Sequence, residues 1–186
     1  MSALKKTIFT ILFWAFVLMT AGCVGVPDGV SPVSDFDITR YMGRWYEIAR
    51  LDHSFERGLQ NVYAEYSLRP DGGARVVNRG YDPVEKEWKQ AEGRAFFVGD
   101  PAVGSLNVSF FGPFYGGYNI IALDQVDYSY ALVCGPNRSY LWILSRSPEM
   151  DGAVLSDLVN QAKDLGFAVD GLIYVRHDRM NDEPTE

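Results

Sequence analysis

Arg40-Tyr41-Met42-Gly43-Arg44-Trp45-Tyr46-Glu47-Ile48-Ala49-Arg50 is the stretch whose reading decides the fold of this chain. Within it, Gly43-x-Trp45-Tyr46 opens the first strand-like run after a segment without apolar periodicity. Gly43 lets the backbone turn tightly into a strand, and the flat indole two residues on can plug the closed end of a barrel. Gly-x-Trp also arises by chance around an ordinary core tryptophan. The sequence downstream decides between the two.

From Trp45 to Arg146 the segments are short, rich in Val, Ile, Tyr and Phe, and punctuated by Gly, Pro, Asn and Asp, which is an all-β pattern. Eight strands are expected, at about Gly43–Ala49, Asn61–Leu68, Ala74–Tyr81, Trp88–Phe97, Ser105–Phe110, Tyr118–Asp124, Tyr128–Cys134 and Tyr140–Ser145. Asp71-Gly72-Gly73, Asp82-Pro83, Asp100-Pro101, the run Gly112 to Gly117, and Gly135-Pro136-Asn137 supply turn chemistry between them. Such short links imply an antiparallel meander. The longer connection from Arg50 to Gln60 is expected to be a loop or lid over one end.

After Arg146 the period changes. Val154, Leu155, Leu158, Val159, Ala162 and Leu165 recur at helical spacing, with Gly166 as a C-terminal stop, so one amphipathic helix should lie against the outside of the sheet. Leu172 to Val175 reads as a short final strand. The acidic stretch Asn181 to Glu186 ends a tail, 179–186, that should fray.

Eight antiparallel strands can close into a barrel with room for side chains or one small ligand. Alternation then assigns faces. With Trp45 inward, Glu47 and Ala49 follow it; Val62, Ala64 and Tyr66 form the inner set of the second strand, and Val76, Asn78 and Gly80 that of the third. Leu106, Val108 and Phe110 make an apolar face, and Trp142, Leu144 and Arg146 share a side. The small residues Ala49, Ala64 and Gly80 favour a cavity over a packed interior. A well-packed small barrel is the alternative.

Lys5-Lys6, the uncharged run from Thr7 to Ala21 and Gly22-Cys23 have the layout of an export signal, residues 1–22, too short for a membrane span. Thr20-Ala21-Gly22-Cys23 resembles the lipobox of bacterial lipoproteins, in which cleavage precedes a cysteine that becomes triacylated; Thr20 stands where leucine is usual. An ordinary secretory signal is the alternative. Val24, rather than aspartate, follows the cysteine, which favours an outer-membrane address. Removing 22 of the 186 residues leaves 164, enough for one domain, and losing Lys5 and Lys6 moves the formal charge from −7 to −9. That charge argues against nucleic acid and against a basic membrane patch. With Cys23 lipidated, Cys134 has no disulfide partner. The Pro- and Gly-bearing segment 23–35 reads as a tether, and 36–178 as the barrel domain.

The chain from about Phe36 to Val175 resembles the lipocalins, most closely the bacterial outer-membrane group that is also similar to apolipoprotein D. Three motifs carry the resemblance in order: Gly43-Arg44-Trp45-Tyr46, Asp127-Tyr128-Ser129-Tyr130-Ala131-Leu132-Val133, and Leu141-Trp142-Ile143-Leu144-Ser145-Arg146. Phe110 to Tyr118 and Cys134-Gly135-Pro136 look specific to the bacterial group. Val126 before Asp127 departs from the commoner Thr-Asp-Tyr. The resemblance implies an eight-stranded up-and-down barrel with one flanking C-terminal helix. It also implies a floor of Gly43, Trp45 and Arg146, with the guanidinium over the indole.

Catalytic signals are weak. His53 and His177 are the only histidines, no Gly-x-Ser-x-Gly elbow exists, and Asp52-His53-Ser54 are consecutive on a loop, where a triad is normally assembled from distant positions. No cofactor or metal set is expected, and Cys134 reads as a small buried apolar residue. The candidate pocket is Glu47, Ala49, Val62, Ala64, Tyr66, Asn78, Val108, Phe110 and Trp142. His53, Phe55, Phe114 and Tyr115 are candidates to gate it, or to meet a partner subunit in a homodimer. The expected function is non-covalent binding of a fatty acid, lysophospholipid or similar amphiphile, stored or transported in the envelope. The expected place is the outer membrane, anchored through Cys23, with the barrel facing the periplasm. A lipid-modifying enzyme, or an envelope interaction protein with a vestigial cavity, is the alternative.

Overall fold

β-branched and aromatic residues that alternate with polar ones fit a pleated, half-buried surface, and the glycine- and aspartate-bearing links between such runs fold them back on themselves. The structure, a computed structural model, describes residues 24–179. The expected signal segment, Cys23 and all of the expected tail but Arg179 lie outside the described residues. The strands are β1 Gly43–Arg50, β2 Gln60–Leu68, β3 Ala74–Asp82 and β4 Glu87–Phe97. β5 Ser105–Phe111, β6 Phe114–Leu123, β7 Tyr130–Cys134 and β8 Leu141–Ser145 complete the set. Successive strands pair antiparallel, and β1 pairs with both β2 and β8, which closes the barrel and removes its edges. A two-residue strand, β9 (Ile173–Tyr174), adds to the outside of β1 at Ala49 and Arg50.

The register gives the barrel two distinct ends. Gly43 opposes Tyr66 at the floor, while Arg50 opposes Trp142 at the mouth. The links 51–59, 83–86, 112–113 and 135–140 therefore surround the mouth. A single helical turn, α1 (Ile38–Tyr41), capped by Asp37 accepting from the Thr39 amide, closes the floor. No periodicity marks so short an element.

Two strand boundaries differ from expectation by more than one residue. The Gly112–Gly117 turn is only Gly112-Pro113, because Gly116 and Gly117 pair with Val108 and Asn107 as part of β6. Glycine is required at 117, where a Cβ would lie 2.6 Å from the Gly25 carbonyl of the crossing N-terminal segment. β7 starts at Tyr130, since Tyr128, at φ 54, belongs to the preceding turn, where its amide donates to the Asp124 carbonyl at 2.9 Å.

That N-terminal segment is not a free tether. The Asn119 amide donates to the Gly25 carbonyl, Arg138 to the Asp28 carbonyl, the Val33 amide to Ile120 and the Phe36 amide to Ala102. Buried Val30 and Phe36 fix it against the barrel wall. Residues 25–36 thus run down the outside, from the mouth to the floor.

The expected helix is α2 (Gly152–Asp164), capped by Asp151 accepting from Ala153 and Val154. Its Leu158 and Ala162 are buried against Ile48, Ala49, Leu132, Cys134, Leu141 and Ile143, a core outside the barrel. A second core fills the lower barrel around Trp45, Tyr66, Val76 and Ile120.

Candidate functional site

Trp45 is fully buried at the floor, and the Arg146 guanidinium carbon sits 4.0 Å from the centre of its ring, on the solvent side. Arg146 also donates to the carbonyls of Arg40 at 2.8 Å, Arg44 at 2.9 Å and Tyr128 at 3.2 Å. One planar fork thereby ties three chain segments beneath the indole. Gly43, with φ 94, passes so close that a Cβ there would meet Arg146 Nη1 at 3.3 Å. Gly43, Trp45 and Arg146, the residues expected at the floor, thus lie against one another.

Above the indole lies a layer that sequence reading did not resolve. Tyr41 stacks on Trp45 with centroids 4.7 Å apart, and its hydroxyl is 2.7 Å from that of Tyr118, which also accepts from Tyr66 at 3.0 Å. Burial pushes all three phenols well up, so they stay neutral and hydrogen-bonded to one another. The void left there, bordered by Phe36, Tyr41, Ala74 and Ala95, is about 10 Å³, room for one water at most. Tyr66, a candidate pocket wall, stands in this plug at the bottom of the interior.

Higher up, the interior opens. Cross-strand partners share a face, and Ala64, Asn78 and Ala91 lie in one row with inward Trp45. Ala64, Asn78, Ala91, Val108, Phe110 and Trp142 face the axis and are nevertheless only half-buried, so their neighbours do not fill the space between them. Val62 faces the same interior against Gly80. The Asn78 side-chain carbonyl is buried there with no protein partner.

Ala49 is a correction. β1 carries a bulge between Glu47 and Ala49, so Ile48 and Ala49 both turn outward beneath α2, and Arg50 takes the inward place that strict alternation gives to Ala49. A single inserted residue reverses the faces, and no composition signal announces it.

Arg50 is 1% exposed and donates to Glu47 Oε1 at 2.5 Å, to the Glu56 carbonyl at 2.8 Å and to the Leu59 carbonyl at 3.2 Å. It so pins the lid, residues 51–59, over the mouth. Glu56 accepts from the Trp142 indole at 3.1 Å and lies 3.1 Å from His53 Nε2. His53 in turn stacks on exposed Phe55 at 4.0 Å. Burial raises the Glu47 carboxyl well above the usual range, and the Glu56 charge adds to this against the pull of Arg50. Burial would also raise Glu56, but His53, the Trp142 indole and Arg50 together hold it below its ordinary value. Arg50 and Glu56 carried no recognisable motif; only the close spacing of Glu47, Arg50, His53 and Glu56 hinted at a cluster.

A closed antiparallel barrel, plugged at one end and open inside toward a lidded mouth, defines the class of small-ligand-binding up-and-down barrels. The lipocalin-like domain family model matches residues 36–177, and the chain belongs to the lipocalin family. It is 53% identical over 171 residues to the outer membrane lipoprotein Blc of Vibrio cholerae, covering 92% of this chain and 98% of that one. Blc of Escherichia coli K12 is also 53% identical, over 162 residues, 87% of this chain and 91% of that protein. Insecticyanin of the tobacco hornworm Manduca sexta superposes with a TM-score of 0.66 at 23% identity, over 82% of this chain and 86% of that one, which shows the shared fold.

Proposed function

We propose that this lipocalin is an outer membrane lipoprotein, held by acylated Cys23 with its barrel on the periplasmic side. Its upper barrel binds a fatty acid, lysophospholipid or similar amphiphile without covalent chemistry, for storage or transport in the envelope. The observation that carries this reading is the row of axis-facing, half-buried walls at Ala64, Ala91, Val108, Phe110 and Trp142 above a sealed floor. Burial of acyl methylenes there contributes about 0.8 kcal/mol each. The open carbonyl of Asn78 suits a donor on a polar headgroup. The relatives named outer membrane lipoprotein support the location.

A binding role without turnover is supported by Cys134. It is buried on the outer face beneath α2, away from the axis, and burial pushes its thiol up to about 12. A thiol so placed is no nucleophile. Native mass spectrometry of delipidated protein titrated with fatty acids and lysophospholipids tests the reading. A one-to-one mass shift is expected; no shift with any of them overturns it.

A further inference from the structure

The exposed apolar side chains are distributed unevenly between the two ends of the barrel. Phe55 on the lid is 57% exposed, and Phe111 and Phe114 at the tip of the β5–β6 hairpin are 78% and 77% exposed. These are the only exposed phenylalanines among the described residues, and all three stand at the mouth. Val84, 87% exposed on the β3–β4 link, joins them there. The floor exposes Leu68, Val98 and Val126 but no phenylalanine. Phe55 and the β5–β6 hairpin lie across the mouth from one another, separated by β7 and β8 on one side and by β2, β3 and β4 on the other.

The N-terminal segment brings the chain's start to the same end. Gly25 is fixed to Asn119 at 2.8 Å and lies against Gly117, beside the mouth loop at Gly135. Three residues along β6 separate Gly117 from Phe114, about 10 Å at strand spacing. Cys23, two residues before Gly25, can reach only about 7 Å from it. An acyl anchor at Cys23 therefore has no slack: it holds the mouth, not the floor, against the bilayer. Near the rim, Asp52 is paired with Arg57, and Glu85 and Glu87 share Lys89, so most of this negative charge is offset where it faces the membrane.

We propose that the barrel docks mouth-down on the lipid bilayer, with Phe55, Phe111 and Phe114 set among the lipid chains at its interface. Ligand then passes between membrane and cavity without crossing bulk water. The docking surface rests on the placement of the anchor and the rings, and holds whatever the cargo. Aromatic rings suit the boundary between headgroups and chains.

The test uses the mature chain tethered at Cys23 to phosphatidylcholine vesicles containing brominated phosphatidylcholine. The tether is the acyl anchor or, where acylation is absent, a maleimide lipid coupled to the same thiol. Tryptophan quenching is compared between Phe114→Trp at the rim and Val126→Trp at the floor, each against the unsubstituted chain. Quenching severalfold greater at position 114 is expected, and Phe55→Ser with Phe111→Ser should reduce it. Equal quenching at both positions, or greater quenching at 126, overturns mouth-down docking. So does an unquenched position 114 that cross-links between two copies, which would make the rim a subunit interface. No cargo is needed for this readout, so failure of ligand binding and failure of docking are distinguished.

Discussion

Arg50 reaches back across the β1 bulge to Glu47, with Nη1 2.5 Å from Oε1, and both side chains are almost completely buried. The same guanidinium holds the carbonyls of Glu56 and Leu59, so the pair links the barrel wall to the lid. Removing one partner of a buried pair leaves the other uncompensated. Arg50→Met is expected to destabilise by about 3–5 kcal/mol in urea unfolding, more than the double variant Arg50→Met with Glu47→Leu. Equal losses in the two would show that the pair is not coupled.

At the floor, Trp45→Ala should cost about 3–5 kcal/mol as truncation of a buried aromatic. Arg146→Ala should cost less, about 1–3 kcal/mol, since the indole stays packed while three carbonyls lose a donor. Thermal unfolding measures both, and unchanged stability of Trp45→Ala would remove this residue from the floor.

The two levels of the barrel should respond oppositely to added volume. Ala64→Leu, in the open upper interior, should leave stability nearly unchanged and weaken palmitate binding by about tenfold or more. Ala74→Leu, beside a void of about 10 Å³, should cost about 1–3 kcal/mol through overpacking. Fluorescence titration and urea unfolding of the two variants provide the comparison.

His177 is half-buried, with Nε2 2.9 Å from the Glu47 carbonyl, and burial lowers its pKa below the ordinary 6.5. The unfolded chain therefore takes up this proton at a higher pH than the folded one. Stability contributed by neutral His177 is complete above 6.5 and is lost as pH falls through the lowered folded value. Glu56, held low, is lost in the same direction at lower pH, while Glu47, held high, opposes it: its contribution is present in acid and lost as pH rises through the folded value. His177→Gln should flatten the fall in melting temperature just below pH 6.5. An identical profile in the variant would assign that fall to other groups.

Stable membrane attachment should depend on Cys23, because three rim phenylalanines add only weak interfacial binding and a chain with net charge −9 after signal removal is repelled by anionic surfaces. Cys23→Ser in the precursor should abolish palmitate labelling and sedimentation with outer membrane while the barrel still folds. Labelled, membrane-bound Cys23→Ser protein would overturn the anchor.

The amino-acid order by itself determined the eight strands and the flanking helix α2, because period-two and helical patterns and turn residues are local and strongly phased, while the pairing of Arg146 with Trp45 was legible only through the resemblance to the lipocalins. It also marked Val62, Ala64, Asn78, Val108, Phe110 and Trp142 as inward, since cross-strand alternation propagates from one fixed residue. Tertiary structure alone decided where that alternation breaks. The bulge at Ile48 sent Ala49 under α2 and turned Arg50 inward, a choice set by packing of the helix on one face and pairing with β8 on the other. The Tyr41–Tyr66–Tyr118 hydroxyl chain joins three distant segments, and its members look like ordinary strand and turn tyrosines in the sequence. The path of residues 25–36 was likewise hidden, because its hydrogen bonds go to Ala102, Ile120 and Asn119, and composition records how polar and flexible a segment is but not which surface it finds.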